Sequence, residues 1–266
     1  MKKWLLIGAI GALSFLMYII YSAPASIAVN MMEEDIELNA PDIQLGQTNG
    51  TLWNGDQELQ YRQFPPINIA WDLSVLPIIT GRIDSKTQLT GDGVEATFDL
   101  TASGNQGAIS NLTGSVGSRY LNQITIPYGL DLSDTLAIQT VDTSWENNWL
   151  TALSGNLNWP GGIVHIETPL ALLSIKLPPL TGKLSMEGSD ARLHITDAGN
   201  ALMNIRLKKD GWAVVAINYS LLEMIGMPLQ LVGPAPVDAA AVDAAAAGTD
   251  LTKESVPALI IEEKVF

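Results

Sequence analysis

Val94-Glu95-Ala96-Thr97-Phe98-Asp99-Leu100 alternates apolar and polar side chains. Successive side chains on a strand point to opposite faces, so this run reads as a strand with one apolar face. Ala191-Arg192-Leu193-His194-Ile195-Thr196 repeats the pattern, and so does Leu202 to Leu207. Turn signals separate such runs: Asn49-Gly50, Gly91-Asp92-Gly93, Gly104-Asn105, Gly161-Gly162 and Asp210-Gly211. These residues tolerate positive φ and close hairpins. The short spacing favours a meander over crossover helices. The expected fold is mainly β: an antiparallel, curved or sandwich-like sheet with few short helices. The helical candidates are Trp71 to Leu76 before Pro77, Glu146 to Leu150, and Tyr219 to Ile225, stopped by Gly226 and Pro228. None is long enough to cover a wide sheet. The apolar face must close on a second sheet, or be covered by lipid or by a partner.

The N-terminus is of another kind. Residues 4 to 32 carry no charged side chain, and Trp4 to Tyr21 is an 18-residue, nearly unbroken apolar block. A helix needs roughly 20 mostly apolar residues to span a bilayer. Lys2 and Lys3 precede the block, and Glu33, Glu34 and Asp35 follow it. That asymmetry keeps the N-terminus cytoplasmic and exports the rest. Ala23-Pro24-Ala25 also fits a small-x-small cleavage site. Signal-peptide apolar regions run about 7–15 residues, so the length of this block favours a retained anchor. Its membrane-facing set is Trp4, Leu5, Leu6, Leu13, Phe15, Leu16, Tyr18 and Tyr21. The aromatic residues near its two ends suit a membrane-interface belt.

The exported part is acidic. The chain has 14 Lys+Arg against 28 Asp+Glu, and without Lys2 and Lys3 the balance is 12 against 28, a net of −16. Such a surface repels phosphate backbones and excludes nucleic acid as a partner. Cysteine is absent. That excludes a disulfide framework, a lipid-modified cysteine, thiolate metal sites and cysteine catalysis.

A weak repeat runs through the body: Gly50-Thr51-Leu52-Trp53-Asn54-Gly55, then Gly155-Asn156-Leu157-Asn158-Trp159-Pro160-Gly161-Gly162, with an echo at Gly182-Lys183-Leu184. It reads either as common hairpin grammar or as two related halves, about 40–135 and 136–232. From Gly233 to Ser255 the composition is that of an Ala/Asp/Pro linker. Residues 256–266 are apolar again, with Leu259-Ile260-Ile261 and a terminal Val265-Phe266. This segment reads as a strand returning to the domain or as a free recognition peptide.

The ordered set resembles the type II secretion system protein N family, also called general secretion pathway protein N. It comprises the anchor with Pro24-Ala25, Gly50-Thr51-Leu52-Trp53-Asn54-Gly55, Trp71-Asp72-Leu73, Leu76 to Ile83, Leu153 to Trp159, and Asn218 to Leu222. The positions that carry it are Gly50, Leu52, Trp53, Gly55, Trp71, Gly81, Gly155, Leu157 and Trp159. The resemblance implies a single-pass inner-membrane protein of a Gram-negative envelope. It would have a cytoplasmic stub (1–3), an anchor (4–22) and a periplasmic β-rich domain (23–232). It implies a non-enzymatic part in a machine that exports folded proteins, with other type II secretion proteins as partners. The tail beyond residue 232 lies outside the pattern. An alternative from another class is an anchored envelope protein that binds or transfers lipid on the apolar face of a curved sheet.

Little in the chain suggests catalysis. His194 shares a strand face with Arg192 and Thr196, which suits a solvated surface position. His165 shares a face with Glu167, but two ligands do not make a metal site. There is no Gly-x-Ser-x-Gly elbow and no phosphate loop. No cofactor, metal site or catalytic residue is therefore expected.

Overall fold

The computed structural model describes residues 2–167, 172–226 and 257–265. The expected linker at 233–255 lies outside the described residues. So do the side chains of Trp4, Leu5, Leu6, Leu13 and Leu16 within the first helix. The chain divides into two compact units, Met1–Gly104 and Asn105–Phe266.

The first unit begins with helix α1 (Lys2–Tyr21) and helix α2 (Ala25–Asn39). The break between them is local chemistry. The Ser22 Oγ–H donates to the carbonyl of Tyr18 at 2.7 Å, and Pro24 follows two residues later. A proline pushes the residue before it out of the helical region. Five antiparallel strands come next: β1 (Ile43–Gly50), β2 (Asn54–Tyr61), β3 (Ile67–Leu73), β4 (Ile83–Gly91) and β5 (Val94–Ser103), in meander order. A short helix, α3 (Val75–Ile79), joins β3 to β4. The alternating run Val94 to Leu100 lies in β5, and Gly91-Asp92-Gly93 forms the β4–β5 turn.

The second unit holds β6 (Gln106–Val116), α4 (Ser118–Thr125), a 3₁₀ turn (Ile126–Tyr128), β7 (Leu130–Leu132), β8 (Leu136–Glu146), β9 (Trp149–Trp159), β10 (Gly162–Glu167), β11 (Leu172–Leu177), β12 (Leu180–Glu187), β13 (Asp190–Asp197), β14 (Asn200–Leu207), β15 (Trp212–Asn218), α5 (Tyr219–Met224) and β16 (Pro257–Lys264). Its large antiparallel sheet has the order β6-β8-β9-β12-β13-β14-β15-β16, and a small sheet has the order β11-β10-β7. Asn122 ties α4 to β7: its side-chain oxygen accepts from the Leu132 N–H at 2.8 Å and its amide donates to the Leu132 carbonyl at 3.0 Å. The mainly β expectation and the antiparallel pairing hold in both units.

Three local expectations are corrected. Trp71 to Leu76 does not form one helical turn. Ile67, Ile69, Trp71 and Leu73 share one face of β3, which is paired on both sides, and the helical turn starts only at Val75. Pairing with two neighbours outweighs a local helical preference. Glu146 to Leu150 is not a helix either. Asn147 (φ 51°) and Asn148 (φ 64°) are both left-handed and form a tight two-residue connection between β8 and β9. Asparagine is one of the few residues that enters that region readily. The third correction adds α2 and α4, which the strand grammar did not predict. Helix α5 falls where Tyr219 to Ile225 was expected, and Gly226 (φ +69°) follows its end.

The apolar C-terminal segment returns to its own chain. Strand β16 pairs with β15 in register from Trp212↔Lys264 to Ile217↔Leu259, and Ala258 is 1% exposed. Of the two readings of this segment, the structure takes the domain strand.

Candidate functional site

The Gly50-Thr51-Leu52-Trp53 loop between β1 and β2 fastens the exit of α1 to the sheet. An α-helix leaves its last four carbonyls without helical partners. Here the Trp53 indole N–H donates to the Ile20 carbonyl at 2.9 Å. The Ala23 N–H donates to the same carbonyl at 3.3 Å, and the Ser22 N–H to the Tyr18 carbonyl at 2.9 Å. One residue further, the Leu52 N–H donates to the Ala23 carbonyl at 2.9 Å, beside a bridge between Pro24 and Thr51. The loop is tied back into the sheet as well. The Leu73 N–H donates to the Trp53 carbonyl at 2.6 Å, and the Trp71 indole N–H to the Leu52 carbonyl at 3.0 Å. Trp53 is 9% exposed.

Each family-pattern residue in this loop has a physical task. Gly50 has φ +83°, and a Cβ there would lie 2.5 Å from the Asn54 carbonyl oxygen. Gly55 faces Trp71 across the β2–β3 ladder. A Cβ on Gly55 would lie 2.8 Å from the Trp71 ring and 2.7 Å from the Asn49 carbonyl oxygen. So the glycine makes room for Trp71 to cross β2 and reach Leu52. Gly81 (φ +75°) closes the turn after α3.

Gly155, Leu157 and Trp159 lie on β9 in the second unit and do different work. Gly155 faces Val141, and a Cβ there would lie 2.6 Å from both Val141 Cγ2 and the Thr140 carbonyl oxygen. Leu157 packs against Gly182 across the β9–β12 ladder. Trp159 is 7% exposed, and its indole nitrogen has no hydrogen-bond partner among the described residues. The two copies share buried tryptophans and crowded glycines, but among the described residues only the first clasps a helix.

Under α2, one face of β1–β5 borders an open apolar cavity of about 380 Å³. That lies within the range of roughly 300–1,000 Å³ of small-molecule sites. The register sets its shape. Ser85 stands between Leu73 and Leu100, and Thr87 between Trp71 and Phe98. Two short side chains flanked by long ones leave a furrow along β4. Ala25, Ala28 and Val29 of α2 form its roof. The buried polar residues of this region are paired internally. Gln57 donates to the carbonyls of Gly46 (3.1 Å) and Glu58 (2.6 Å) and accepts from Thr48. The Ser85 and Thr87 hydroxyls lie 3.3 Å apart, and Ser85 also donates to the Lys86 carbonyl at 3.3 Å.

The second unit has a cavity of about 320 Å³ lined by Ile126, Gly129, Leu130, Asp131, His165, Glu167 and Leu172. His165 shares a 2.8 Å hydrogen bond with Ser174, and His194 a 2.7 Å hydrogen bond with Asn204. The two histidines lie in different sheets. Among the described residues no three His, Cys, Asp or Glu side chains converge as a metal site.

Electrostatic perturbation is modest. The hydrogen bond and the charge of Asp42 raise the Arg62 pKa. Burial raises that of Tyr120. Burial, then the charge of Arg206, lowers that of Arg192. Arg192 and Arg206 are directly opposite on β13 and β14, and each pairs with an acid: Arg192 with Glu187, and Arg206 with Asp190 at 2.7 Å.

Trp53 and Trp71 are legible in the sequence as family-pattern positions, but their carbonyl partners are not, because those lie in segments distant in the chain. The furrow was also missed. Its signal was the pair Ser85 and Thr87 at alternate positions of a strand between two apolar ones.

The model of the family described as type II secretion system (T2SS), protein N, matches residues 41–234. No curated protein and no solved structure matches the chain. The matched segment spans β1 to β15 and takes in the Gly-Thr-Leu-Trp loop, Trp71 and the Gly155 repeat. With most of its length under that match, the chain belongs to the type II secretion system protein N family.

Proposed function

We propose that this protein is a non-enzymatic, inner-membrane component of the type II secretion machine. It is anchored by α1 with its N-terminus in the cytoplasm, and it assembles through its periplasmic units with other secretion proteins. The observation that carries the anchoring is the uncharged apolar block from Trp4 to Tyr21, whose exit the clasp ties to the sheet. The apolar helix ends at Tyr21, and its last carbonyls are capped by Trp53 and Ser22, so the β-sheet is held directly at the helix exit. Ile10, Phe15, Met17 and Tyr18 on α1 are exposed, as suits side chains that face lipid. At 20 residues α1 is about 30 Å long, the thickness of a bilayer hydrocarbon core. Among the described residues no helix is long and apolar enough to cross a membrane. The anchoring therefore rests on the uncharged sequence block together with the clasp.

The test has two parts. Carbonate extraction and N-terminal sequencing of protein from isolated membranes should give a membrane-retained chain starting at or next to Met1. A start near Ser26 would overturn the anchored form. Cross-linking in secreting cells should trap the chain with other secretion components, and deletion should reduce export of folded substrates. Unchanged secretion with no trapped component would overturn the assembly role.

A second reading, lipid binding on the apolar face of the sheet, is favoured by the cavity beneath α2.

A further inference from the structure

The furrow beneath α2 has the chemistry of a hydrocarbon site. Its floor is Leu45, Ile69, Leu73, Phe98 and Leu100, with Ser85 and Thr87 at its lowest line. The hydroxyls of that line bond to each other and to backbone, and Gln57 and Trp71 are likewise engaged. The donors named there are all engaged, so none is left to bind a phosphate headgroup, and a ligand gains mainly by burying apolar surface. A groove with an almost wholly apolar lining favours apolar occupants. Its lining reaches across the sheet from Leu45 on β1 to Phe98 and Leu100 on β5, a span that can accommodate a chain.

Its position tells where a ligand comes from. Leu52 and Ala25 line the cavity, and both adjoin the exit of α1: Leu52 donates to Ala23, and Ala25 opens α2. Leu73, also in the lining, is bonded to Trp53, which is bonded to Ile20. Helix α3 starts two residues after Leu73 and so lies at this same end. It presents Leu76 and Ile79, each 78% exposed, with Val75 and Ile83 exposed beside them. Exposed apolar side chains gathered beside the end of an apolar helix suit burial in a bilayer interface.

We propose that the furrow between α2 and β1–β5 takes up one acyl chain of a bilayer phospholipid, entering at the end marked by Leu52, Leu73 and α3. The headgroup stays outside. This site rests on the lipid-binding reading above, and its source of ligand rests on the anchoring by α1.

The full chain in phospholipid nanodiscs, with a photoreactive diazirine on one acyl chain of the lipid, provides the test. Irradiation and peptide mapping should place label on α1, on α3 and on the β3 and β5 segments around Ile69 and Phe98. The double variant Ser85→Leu/Thr87→Leu fills the furrow with apolar volume. It should keep the melting temperature or raise it, and should lose at least ten-fold of the β3 and β5 label while α1 and α3 stay labelled. Ala28→Leu fills the furrow from the helix side and should act the same way if the sheet variant unfolds. Label on α1 without label on β3 and β5, or cavity label that survives both fillings, overturns the site. Label on the cavity without α1 supports the site and overturns the anchoring. Absence of label from both counts against both. A parallel arm uses a photoreactive free fatty acid. Cavity label from the fatty acid and none from the phospholipid overturns the bilayer source.

Discussion

The Trp53 indole N–H donates to the carbonyl of Ile20, 33 residues earlier in the chain, at 2.9 Å. Through that bond a residue of a sheet loop becomes the cap of the N-terminal helix. The same loop residue accepts from Leu73, so helix exit, loop and β3 share one hydrogen-bonded path.

Replacing Trp53 should separate ring from donor. Trp53→Phe keeps an aromatic ring but loses the bond to Ile20, and should cost about 1 kcal/mol. Trp53→Ala should cost roughly 3–5 kcal/mol, since a large side chain leaves a buried site. Urea midpoints of the full chain in detergent measure both. Hydrogen exchange at Ser22 and Ala23 should speed up in the alanine variant. Equal midpoints for the two variants would show that the donor, not the ring, dominates.

Gly55→Ala should destabilise by about 1–3 kcal/mol through overpacking against Trp71. Its Cβ would meet backbone on two sides and the indole on a third. Gly46→Ala is the control. Its obstacles are all Glu58 side-chain atoms: the carboxylate end at 2.7 Å can swing away, and Cβ and Cγ at 3.0 and 3.1 Å ask for a shift of a few tenths of an ångström, so the change should cost less than Gly55→Ala. Tryptophan fluorescence should shift in the first variant only.

The two named ion pairs of Asp42 and Asp190 should behave differently. Asp190 is 8% exposed and is held by Arg206 and the Ser189 hydroxyl. Arg206→Met strands that carboxylate and should cost roughly 1–3 kcal/mol, although it also removes a like charge opposite Arg192. Adding Asp190→Asn should recover part of the loss. Arg62→Met removes an exposed partner of Asp42 and should leave the melting midpoint unchanged. A larger shift from Arg62→Met than from Arg206→Met would contradict the assignment.

Tyr120 should make the fold sensitive to alkali. Burial favours its neutral phenol, so its folded pKa lies above the unfolded value. Above the unfolded value of about 10, the unfolded state holds fewer protons than the native state, so stability falls as pH rises. The contribution is fully present below that pH and is lost as pH climbs through the folded pKa. Tyr120→Phe should flatten the decline in melting temperature between about pH 9.5 and 11. An unchanged slope would refute the role of this phenol.

Deleting residues 250–266 should lower the melting temperature. The deletion strips β15 of the register partners from Lys264 to Leu259 and uncovers the space filled by Ala258. Ala258→Asp should act in the same direction, because it places a charge at a position 1% exposed. A truncated chain of unchanged stability would show that β16 contributes nothing to the domain.

Alternation in Val94 to Leu100, Ala191 to Thr196 and Leu202 to Leu207, with glycine at the joints, was enough to determine an antiparallel β protein. Side-chain direction along a strand is a local property, and positive-φ turns need glycine or asparagine wherever they fall. The uncharged run from Trp4 set the N-terminal helix apart for the same local reason. The ordered glycine and tryptophan positions made the family legible. Tertiary structure alone decided the rest. Trp53 reaches Ile20 and Gly55 yields to Trp71 because strand register and chain return bring them together. Residues 257–264 join β15 rather than staying free, since an apolar segment gains by pairing with an open sheet edge. The furrow exists because Ser85 and Thr87 fall between larger neighbours on β3 and β5, a juxtaposition set by pairing across strands and invisible along any one of them.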